Sequence, residues 1–231
     1  MSSEFTFHNH ENLRGQHALF SPSQSSWLRY DDDKIAERVV NQYRAPVGTE
    51  IHEFAATQIE MRHRVKSIKN LIENIENYIY TKYTFLSNDL RISQYGMSLI
   101  ENVRILPREV FEAVRSYIND GVGFKMTPEQ PLVYSENSVY GTTDAILFRD
   151  NFLRIHDLKT GTLPGHMEQL KTYAALFCLE YGIKPKDISI ELRMYQWDGI
   201  TIEVPEIPEL VEIMDQIIRV GKITSKISKE D

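Results

Sequence analysis

The chain has very little cysteine: Cys178 is the only one among its 231 residues. A single thiol excludes a disulfide framework within the chain, a zinc ribbon and a cysteine-ligated iron–sulfur cluster. Long apolar runs are also missing, so no segment is predicted to span a bilayer. The first residues, MSSEFTFHNH, lack the pattern of a signal peptide. We therefore expect a cytosolic protein with no membrane span and no iron–sulfur cluster.

Positive charge is scarce as well. The formal net charge of −7, from 26 Lys and Arg against 33 Asp and Glu, argues against a general surface for binding polyanions. It does not exclude an enzyme that acts on nucleic acid, because metal sites add acids and a groove can be locally basic. The remaining composition, 42% hydrophobic and 26% charged, is typical of a soluble globular protein with a full core.

The chain lacks internal repeats, low-complexity segments and linkers, which favours one domain. Residues 1–20 are polar and contain three histidines, and we predict a flexible N-terminal segment there in preference to a metal site. A helix is expected to begin at Ser21 and Pro22, with Trp27 facing the core. We predict that residues 21–231 form a single domain.

Hydrophobic periodicity predicts helices first and strands later. The run Pro46-Val47-Gly48-Thr49 is expected to break the chain, and Thr49 is expected to cap the helix that follows. The expected helices cover residues 48–60, 64–83, 89–101, 107–118, 166–181 and 209–220, and the expected strands cover 132–134, 139–148, 152–160, 188–197 and 200–204. This order predicts an α/β fold, a mixed β-sheet flanked by helices with a helical N-terminal half.

The stretch GTTDAILFRDNFLRIHDLK, residues 141–159, predicts a β-hairpin that organises the rest of the chain. A two-residue turn at Asp150 and Asn151 places Asp144 on the first strand opposite Asp157 on the second. Their Cβ atoms would then lie roughly 5 Å apart. A four-residue loop keeps this register, whereas a three-residue loop breaks it.

Two facing carboxylates at the end of an apolar surface repel each other and are costly to desolvate, and a divalent cation between them removes that cost. Lys159 lies two residues beyond Asp157 on the same face, so its ammonium can reach whatever the metal binds. A metal, a cation and an anionic substrate together fit phosphodiester cleavage. The pattern alone leaves one alternative open, a surface hairpin with solvated acids.

Taken together, the motifs of this chain resemble the PD-(D/E)xK nuclease superfamily and, within it, the RecB-like exonuclease branch. The resemblance covers roughly residues 17–204, and the lead-in SPSQSSWL and the later YQW strand look like phage-encoded members without an iron–sulfur cluster. It implies a restriction-endonuclease-like core. The four motifs stand in the family's order: GTEIHEFA with His52, GTTDAI with Asp144, IHDLKTG with Asp157 and Lys159, and QLKTYA with Gln169 and Tyr173.

The resemblance also implies a role for each matching residue. His52, Asp144 and Asp157 would bind the divalent ion together with the backbone carbonyl of Leu158. Oxygen ligands favour Mg²⁺, and Mn²⁺ can substitute for it. Lys159 would orient or activate the attacking water and stabilise the charge on phosphorus. Gln169 and Tyr173 would lie beside the scissile strand as catalytic residues. The sequence leaves open whether Glu53 or Glu136 assists the metal site.

The expected activity is divalent-metal-dependent hydrolysis of DNA, by an exonuclease in phage or bacterial recombination, repair or DNA processing. The helix histidine, a feature of the RecB-like branch, favours the exonuclease over a site-specific endonuclease. A second hypothesis is a nuclease-fold protein that binds nucleic acid or a protein partner without cleaving, and the acidic net charge motivates it. Candidate partners are DNA, a recombination or single-strand-binding protein, and further copies of the chain, in the cytoplasm of a host if the protein is phage-encoded. The sequence leaves digestion polarity, strand preference, DNA versus RNA and oligomeric state open.

Overall fold

The computed structural model describes residues 26, 28–85, 89–135, 138–161 and 165–227. The expected flexible segment 1–20, the helix start at Ser21 and Pro22, the placement of Trp27 and the candidate acid Glu136 lie outside these residues. By its internal contacts the chain divides into two units, 1–43 and 44–231. In the first unit, the Asp31 side chain accepts a hydrogen bond from the Lys34 amide at 2.9 Å and caps the start of a helix.

That helix, α1 (Asp32–Glu60), contradicts the predicted chain break, because it continues through Pro46. The Thr49 hydroxyl donates a hydrogen bond to the Ala45 carbonyl at 3.2 Å, one turn back, so Thr49 is an interior residue of the helix and does not cap it. Proline removes one helical hydrogen bond, but burial of the stripe that follows outweighs this local cost. The buried members of that stripe are Val47, Ile51, Phe54, Ala55 and Ile59.

Three more helices complete the helical half: α2 (Ile68–Tyr80), α3 (Leu90–Arg104) and α4 (Arg108–Phe124), with a π-helical turn at Thr81–Phe85 after α2. The predicted end of α4 at residue 118, where the run Asn119-Asp120-Gly121 signals a helix end, is wrong. The Asn119 side chain instead bonds to the backbone N–H and carbonyl of Val65 at 2.8 and 3.0 Å. The helix ends six residues later than predicted, at Phe124, where Lys125 takes a left-handed conformation with φ of 62°.

The second half forms a five-stranded sheet in the order β1-β2-β3-β4-β5. Its strands are β1 (Thr127–Ser135), β2 (Val139–Arg149), β3 (Phe152–Leu158), β4 (Ser189–Gln196) and β5 (Gly199–Glu203). Strands β3 and β4 pair in parallel and the other neighbours are antiparallel. The crossover between β3 and β4 contains α5 (Glu168–Glu180), and α6 (Ile207–Ile227) follows β5. The predicted mixed sheet with a helical N-terminal half is confirmed.

The sheet separates two hydrophobic clusters. Residues of α1 to α4 pack with Ala145, Leu158 and Tyr195 in one cluster, whereas α5 and α6 pack on Leu153 and Ile155 in the other. Cys178 is buried in the second cluster. Tyr181 follows the last residue of α5 and is 54% exposed. Within the described ranges, no helix is long and apolar enough to cross a membrane.

Candidate active site

The β2–β3 hairpin has the predicted register and the predicted two-residue turn. Ile146 pairs with Ile155 and Phe148 with Leu153. The turn residues Asp150 and Asn151 both take left-handed backbone angles, with φ of 54° and 56°, as the type I′ turn requires. The ladder ends at the pair Ala145 and His156, and the same register continued by one residue brings Asp144 opposite Asp157.

Asp144 joins three elements at this end of the hairpin. Its Oδ2 atom accepts a hydrogen bond of 2.7 Å from the backbone N–H of Leu158 on β3. The same oxygen lies 3.5 Å from Nδ1 of His52 on α1. The sequence spacing from His52 to Asp144 is long, so only the packing of α1 beside the sheet brings the imidazole to this carboxylate.

Asp157 is a buried carboxylate with one oxygen left over. Its exposed fraction is 2%. Lys159 Nζ lies 3.1 Å from Oδ1 and 2.9 Å from Oδ2, but only the contact with Oδ1 has hydrogen-bond geometry. Among the described residues, Oδ2 therefore accepts no hydrogen bond. Because it accepts no hydrogen bond and only the Lys159 ammonium is near it, this oxygen is suited to a cationic ligand that arrives from outside the chain.

The electrostatic state of Asp157 reflects the same arrangement. Burial, followed by the charge of Asp144, raises the pKa of the Asp157 carboxyl to about 6, although Lys159 and His52 oppose the shift. For His52, burial disfavours the charged imidazolium, but the hydrogen bond and charge of Asp144 outweigh it, with smaller contributions from Asp157 and Glu129, and the pKa of His52 is raised. The two carboxylates therefore repel each other where no cation stands between them.

Lys159 connects the carboxylates to α5. Besides Asp157, its Nζ atom donates a hydrogen bond of 2.8 Å to Oε1 of Gln169. The amide nitrogen of Gln169 lies 3.5 Å from the Tyr173 hydroxyl, a long contact at the limit of a hydrogen bond. The structure thus brings the six side chains of the four sequence motifs together in two sets of contacts, His52 with Asp144 and Asp157 with Lys159, Gln169 and Tyr173, which meet where Asp144 bonds to the Leu158 amide.

The backbone around Lys159 is held by the parallel neighbour of β3. The Lys159 amide donates a hydrogen bond of 2.8 Å to the Tyr195 carbonyl. Gln196, 6% exposed, accepts a 3.0 Å hydrogen bond from the Gly165 amide in the loop that follows. A Cβ atom at Gly48 would meet the Thr160 hydroxyl oxygen at 2.8 Å, so glycine allows α1 to approach the strand end closely.

Glu53, one of the candidate accessory acids, forms its hydrogen bonds with residues outside the candidate site. Its Oε2 atom accepts hydrogen bonds from Lys82 and, at 3.0 Å, from the Tyr78 hydroxyl. The neighbouring acid Glu50 is 4% exposed and binds Lys82 at 3.1 and 3.0 Å and the Tyr83 hydroxyl at 2.6 Å. These bonds tie α1 to α2 and to the π-helical turn. Both acids therefore support the helix that carries His52.

Sequence reasoning missed a different acid, Glu129 on β1. The pairs of Pro128 with Ala145 and of Gln130 with Thr143 put Glu129 opposite Asp144 in the sheet. Its φ of 50° is unusual for a residue other than glycine within a strand. Burial and the charges of Asp144 and Glu53 raise the pKa of Glu129, against the opposing effect of His52. No motif marks Glu129 in the sequence, and only the β1–β2 register reveals it.

The position of Glu129 gives a testable prediction. Glu129→Gln removes one negative charge beside His52, so we expect the pKa of His52 to fall, measured by NMR titration of its imidazole. We also expect the concentration of Mg²⁺ or Mn²⁺ needed for half-maximal stabilisation to rise about 10-fold, the lower end of the range for supporting acids around a metal.

A matched control is Glu206→Gln, which removes an exposed acid outside the site. An unchanged His52 titration in Glu129→Gln would contradict the placement of Glu129 beside the imidazole.

The chemistry of His52, Asp144 and Asp157 suits a divalent ion, although their side chains do not converge on a single point. Within the described part of the chain, no three His, Cys, Asp or Glu side chains converge as a group that could hold a metal. The fit rests on the oxygen of Asp157 that lacks a donor and on the repulsion between Asp157 and Asp144. Two carboxylates with one imidazole form a donor set compatible with Mg²⁺ or Mn²⁺.

The comparison with protein families covers most of the chain. Residues 17–191 match the family described as "Protein of unknown function (DUF2800)". This range contains every side chain of the candidate active site, from His52 to Tyr173, and also Glu129. No curated protein matches the chain. The likeness to PD-(D/E)xK nucleases therefore stays a prediction from the motifs.

Proposed function

This chain belongs to the DUF2800 family, and we propose that it is a divalent-metal-dependent DNA nuclease of the PD-(D/E)xK type, acting as an exonuclease in recombination, repair or DNA processing. One observation carries the proposal. Asp157 is a buried carboxylate that faces a second carboxylate, contacts a lysine and keeps one oxygen without a hydrogen-bond donor. In a surface hairpin with solvated acids, the carboxylate would be exposed and water would reach both of its oxygens.

The metal-binding role is assigned to His52, Asp144 and Asp157, with the Leu158 carbonyl as a further candidate ligand. A bound Mg²⁺ or Mn²⁺ ion supplies a Lewis acid and lowers the pKa of water. No cysteine-bound cluster is part of the proposal, because the chain contains one cysteine.

The remaining residues act on the substrate and on the nucleophile. Lys159 can stabilise negative charge on the phosphate and hold the attacking water near Asp157. Its hydrogen bond to Gln169 fixes the direction of the ammonium, so Gln169 acts as a positioning residue for Lys159. Tyr173 lies beyond Gln169 on the same helix, where its hydroxyl is available to the scissile strand.

The experiment that tests this function is a digestion series with purified protein. Linear, circular, 5′-labelled and 3′-labelled DNA are incubated with Mg²⁺, with Mn²⁺ and with EDTA. An exonuclease degrades linear DNA, spares the circle and releases one label before the other, which also gives the polarity. The absence of metal-dependent degradation of any of these DNAs would overturn the proposal.

Metal binding should depend on pH, because Asp157 has a pKa of about 6 in the folded protein against an ordinary value of 3.8. The folded state then binds the proton more tightly than the unfolded state. Ionisation of Asp157 therefore costs stability as pH rises from about 4 to above 6 in the metal-free protein. We expect Mn²⁺ to raise the melting temperature by several degrees at pH 7.5 and by much less at pH 5.

The measurement is differential scanning fluorimetry across Mn²⁺ concentrations at both pH values. Ca²⁺ and Mg²⁺ series serve as comparisons, and Asp157→Asn is expected to show a small response at either pH. An equal Mn²⁺ response at pH 5 and pH 7.5 would disprove the role of Asp157 in binding.

A nuclease-fold protein that binds DNA without cutting is the second candidate. The observation in its favour is that the described His, Asp and Glu side chains do not converge as a three-ligand site, while Lys159 already neutralises Asp157. DNA binding without a metal-induced change in melting temperature and without cleavage would select this candidate. Association with a recombination or single-strand-binding protein, and self-association, are further proposals that light scattering and co-purification would test.

A further inference from the structure

A second feature of the helical half is a pocket of about 670 Å³ at the start of α2, the end of α3 and the start of α4. Half of the ten residues that line it are cationic and none is acidic. This concentration of positive charge contrasts with the net charge of −7 of the whole chain. We call it the basic pocket, and its cations are Lys66, Lys69, Arg104, Arg108 and Arg115.

Three of these cations have acidic partners outside the pocket. Arg104 makes two parallel hydrogen bonds of 3.0 and 2.9 Å with Glu76, which holds the guanidinium in place. Arg108 contacts Glu112 at 3.0 Å, and Lys69 lies 3.9 Å from Glu73. The exposed pairs contribute little to stability, so an incoming anion can compete for them.

Lys66 and Arg115 are different. Among the residues that the structure describes, neither forms an ion pair with an acid. Lys66 is exposed and Arg115 is half-buried. The aliphatic stem of a half-buried arginine can pack against apolar neighbours while its guanidinium stays available to an anion. The structure thus contains two cations in one pocket whose charge is not balanced by the described acids.

The backbone adds to this positive potential. Helix α2 begins at Ile68 after the cap Ser67, and α4 begins at Arg108 after Pro107, which provides no side-chain cap. The helix dipole favours an anion at this end of α4, although its first turn already contains one acid, Glu109, and the Val110 amide bonds to the Pro107 carbonyl. The pocket also includes the apolar side chains of Ile68, Ile72 and Leu106, which suit the sugar or base edges of a strand more than free phosphate.

We propose that the basic pocket binds phosphodiester groups of a nucleic-acid strand at a distance from the active site. The proposal rests on the proposed nuclease function and extends it, because it assigns a second contact for the same substrate. The proposal names a nucleic acid and not an acidic peptide, because one nucleic-acid strand could contact both the basic pocket and the active site.

Helix α4 connects the two places. After burial, the charges of Asp144, Glu129 and Asp157 contribute to raising the pKa of Tyr117 on this helix, which marks it as a neighbour of the acids. Arg108 begins the same helix nine residues earlier, about 13 Å along its axis at 1.5 Å per residue. This rise along α4, from Tyr117 to Arg108, sets only the scale of the separation: with a phosphate about every 3.4 Å along the axis, a strand needs several nucleotides to reach from one place to the other.

The test is fluorescence anisotropy with a fluorescein-labelled single-stranded 20-mer and a matching duplex, in EDTA, so that binding is measured without cleavage. The test variants are Lys66→Gln, Arg115→Gln and the double variant. The matched control is Lys184→Gln/Lys186→Gln, which removes two exposed cations that follow α5 in the sequence and do not line the pocket. Circular dichroism melting verifies that each variant is folded.

We expect the double variant to bind the 20-mer at least 10-fold more weakly than the wild type at 100 mM salt, and each single variant about 3-fold more weakly. The slope of log K against log salt should decrease in magnitude by roughly 1–2, because each lost phosphate contact accounts for about 0.7–0.9. The control should keep the wild-type affinity and slope. Poly-glutamate should displace the oligonucleotide poorly.

Equal affinity of the double variant and the wild type would overturn the proposal, and so would displacement by poly-glutamate as effective as displacement by unlabelled DNA. Binding of inorganic phosphate in the pocket without any binding of the oligonucleotide would also overturn it. Because binding is measured in EDTA, loss of nuclease activity does not affect the result. If the chain cleaves DNA but the double variant binds normally, the pocket proposal fails while the nuclease proposal stands.

Discussion

Asp157→Asn is expected to abolish metal-dependent DNA cleavage and, at the same time, to raise the melting temperature of the metal-free protein at pH 7.5. The two effects have one cause. Asp157 is buried, faces Asp144 and has a pKa raised to about 6, so its charge destabilises the metal-free protein at pH 7.5. Asparagine has nearly the same shape, carries no charge and can donate its amide hydrogen towards Asp144.

The loss of activity should be large. Replacing this ligand removes the carboxylate charge that binds the metal, and a metal ion provides several kcal/mol of transition-state stabilisation. A loss of about 4 kcal/mol corresponds to roughly 10³-fold in rate. The gain in melting temperature is expected at about 2–4 °C for each kcal/mol of relieved repulsion in a protein of this size.

The measurements are initial rates on end-labelled DNA and melting curves in EDTA, both at pH 7.5. Asp198→Asn is the matched control, because Asp198 is an exposed turn residue between β4 and β5, and it should leave both quantities unchanged. Asp157→Asn with wild-type cleavage would eliminate Asp157 as a ligand. A lower melting temperature in EDTA would show that the carboxylate stabilises the fold in its charged form.

Lys159→Met is expected to reduce cleavage roughly 10²–10³-fold while metal binding is retained. Loss of one hydrogen-bond donor that stabilises charge in a transition state costs about 2.7–4 kcal/mol. The ligands Asp144 and Asp157 remain, and removing the ammonium leaves more negative charge for the metal. The increase in melting temperature with Mn²⁺ should therefore be at least as large as in the wild type.

This combination separates a catalytic role of Lys159 from a structural one. Rates on end-labelled DNA are compared with Mn²⁺ titrations followed by melting temperature, and Lys184→Met serves as the surface control. Gln169→Ala should give a smaller loss, because it frees the ammonium that Gln169 holds at 2.8 Å without removing it. A Lys159→Met variant that cleaves at the wild-type rate would refute the catalytic role of Lys159. A variant whose melting temperature no longer responds to Mn²⁺ would show that Lys159 is needed to maintain the structure of the metal site.

The hairpin could be predicted in detail because its determinants are local. Two left-handed turn residues, Asp150 and Asn151, set the register, and in a strand a shift of one residue would move every side chain to the other face. Apolar residues on the buried face exclude that shift. The pairing of Ile146 with Ile155 follows from these two facts, and the position of Asp144 relative to Asp157 follows with it.

Glu129 could not be predicted in the same way. Its position opposite Asp144 depends on how β1 pairs with β2, and that ladder contains an irregularity between Val133 and Ser135. An irregularity of one residue changes which side chains face each other. The prolines at 128 and 131 also weaken the strand pattern in the sequence.

Two helix boundaries were wrong for a related reason. Pro46 and the run Asn119-Asp120-Gly121 are local signals for breaking a helix, but both segments continue as helix. In α4, the Asn119 side chain bonds to the backbone of Val65, 54 residues away in the chain. Such a partner removes the local role that the residue type predicts.

The sequence by itself determined the mixed α/β architecture and the hairpin with its two acids and lysine, the residue types on which the proposed function rests, because these depend on periodicity and on neighbours a few residues apart. Only the tertiary structure decided that His52 approaches Asp144, that Glu129 joins them, and that Asp157 is buried with an oxygen left without a donor. It also gathered five cations into one pocket at the ends of three helices. Burial and contact between distant segments set these features, and both arise only when the helices pack against the sheet.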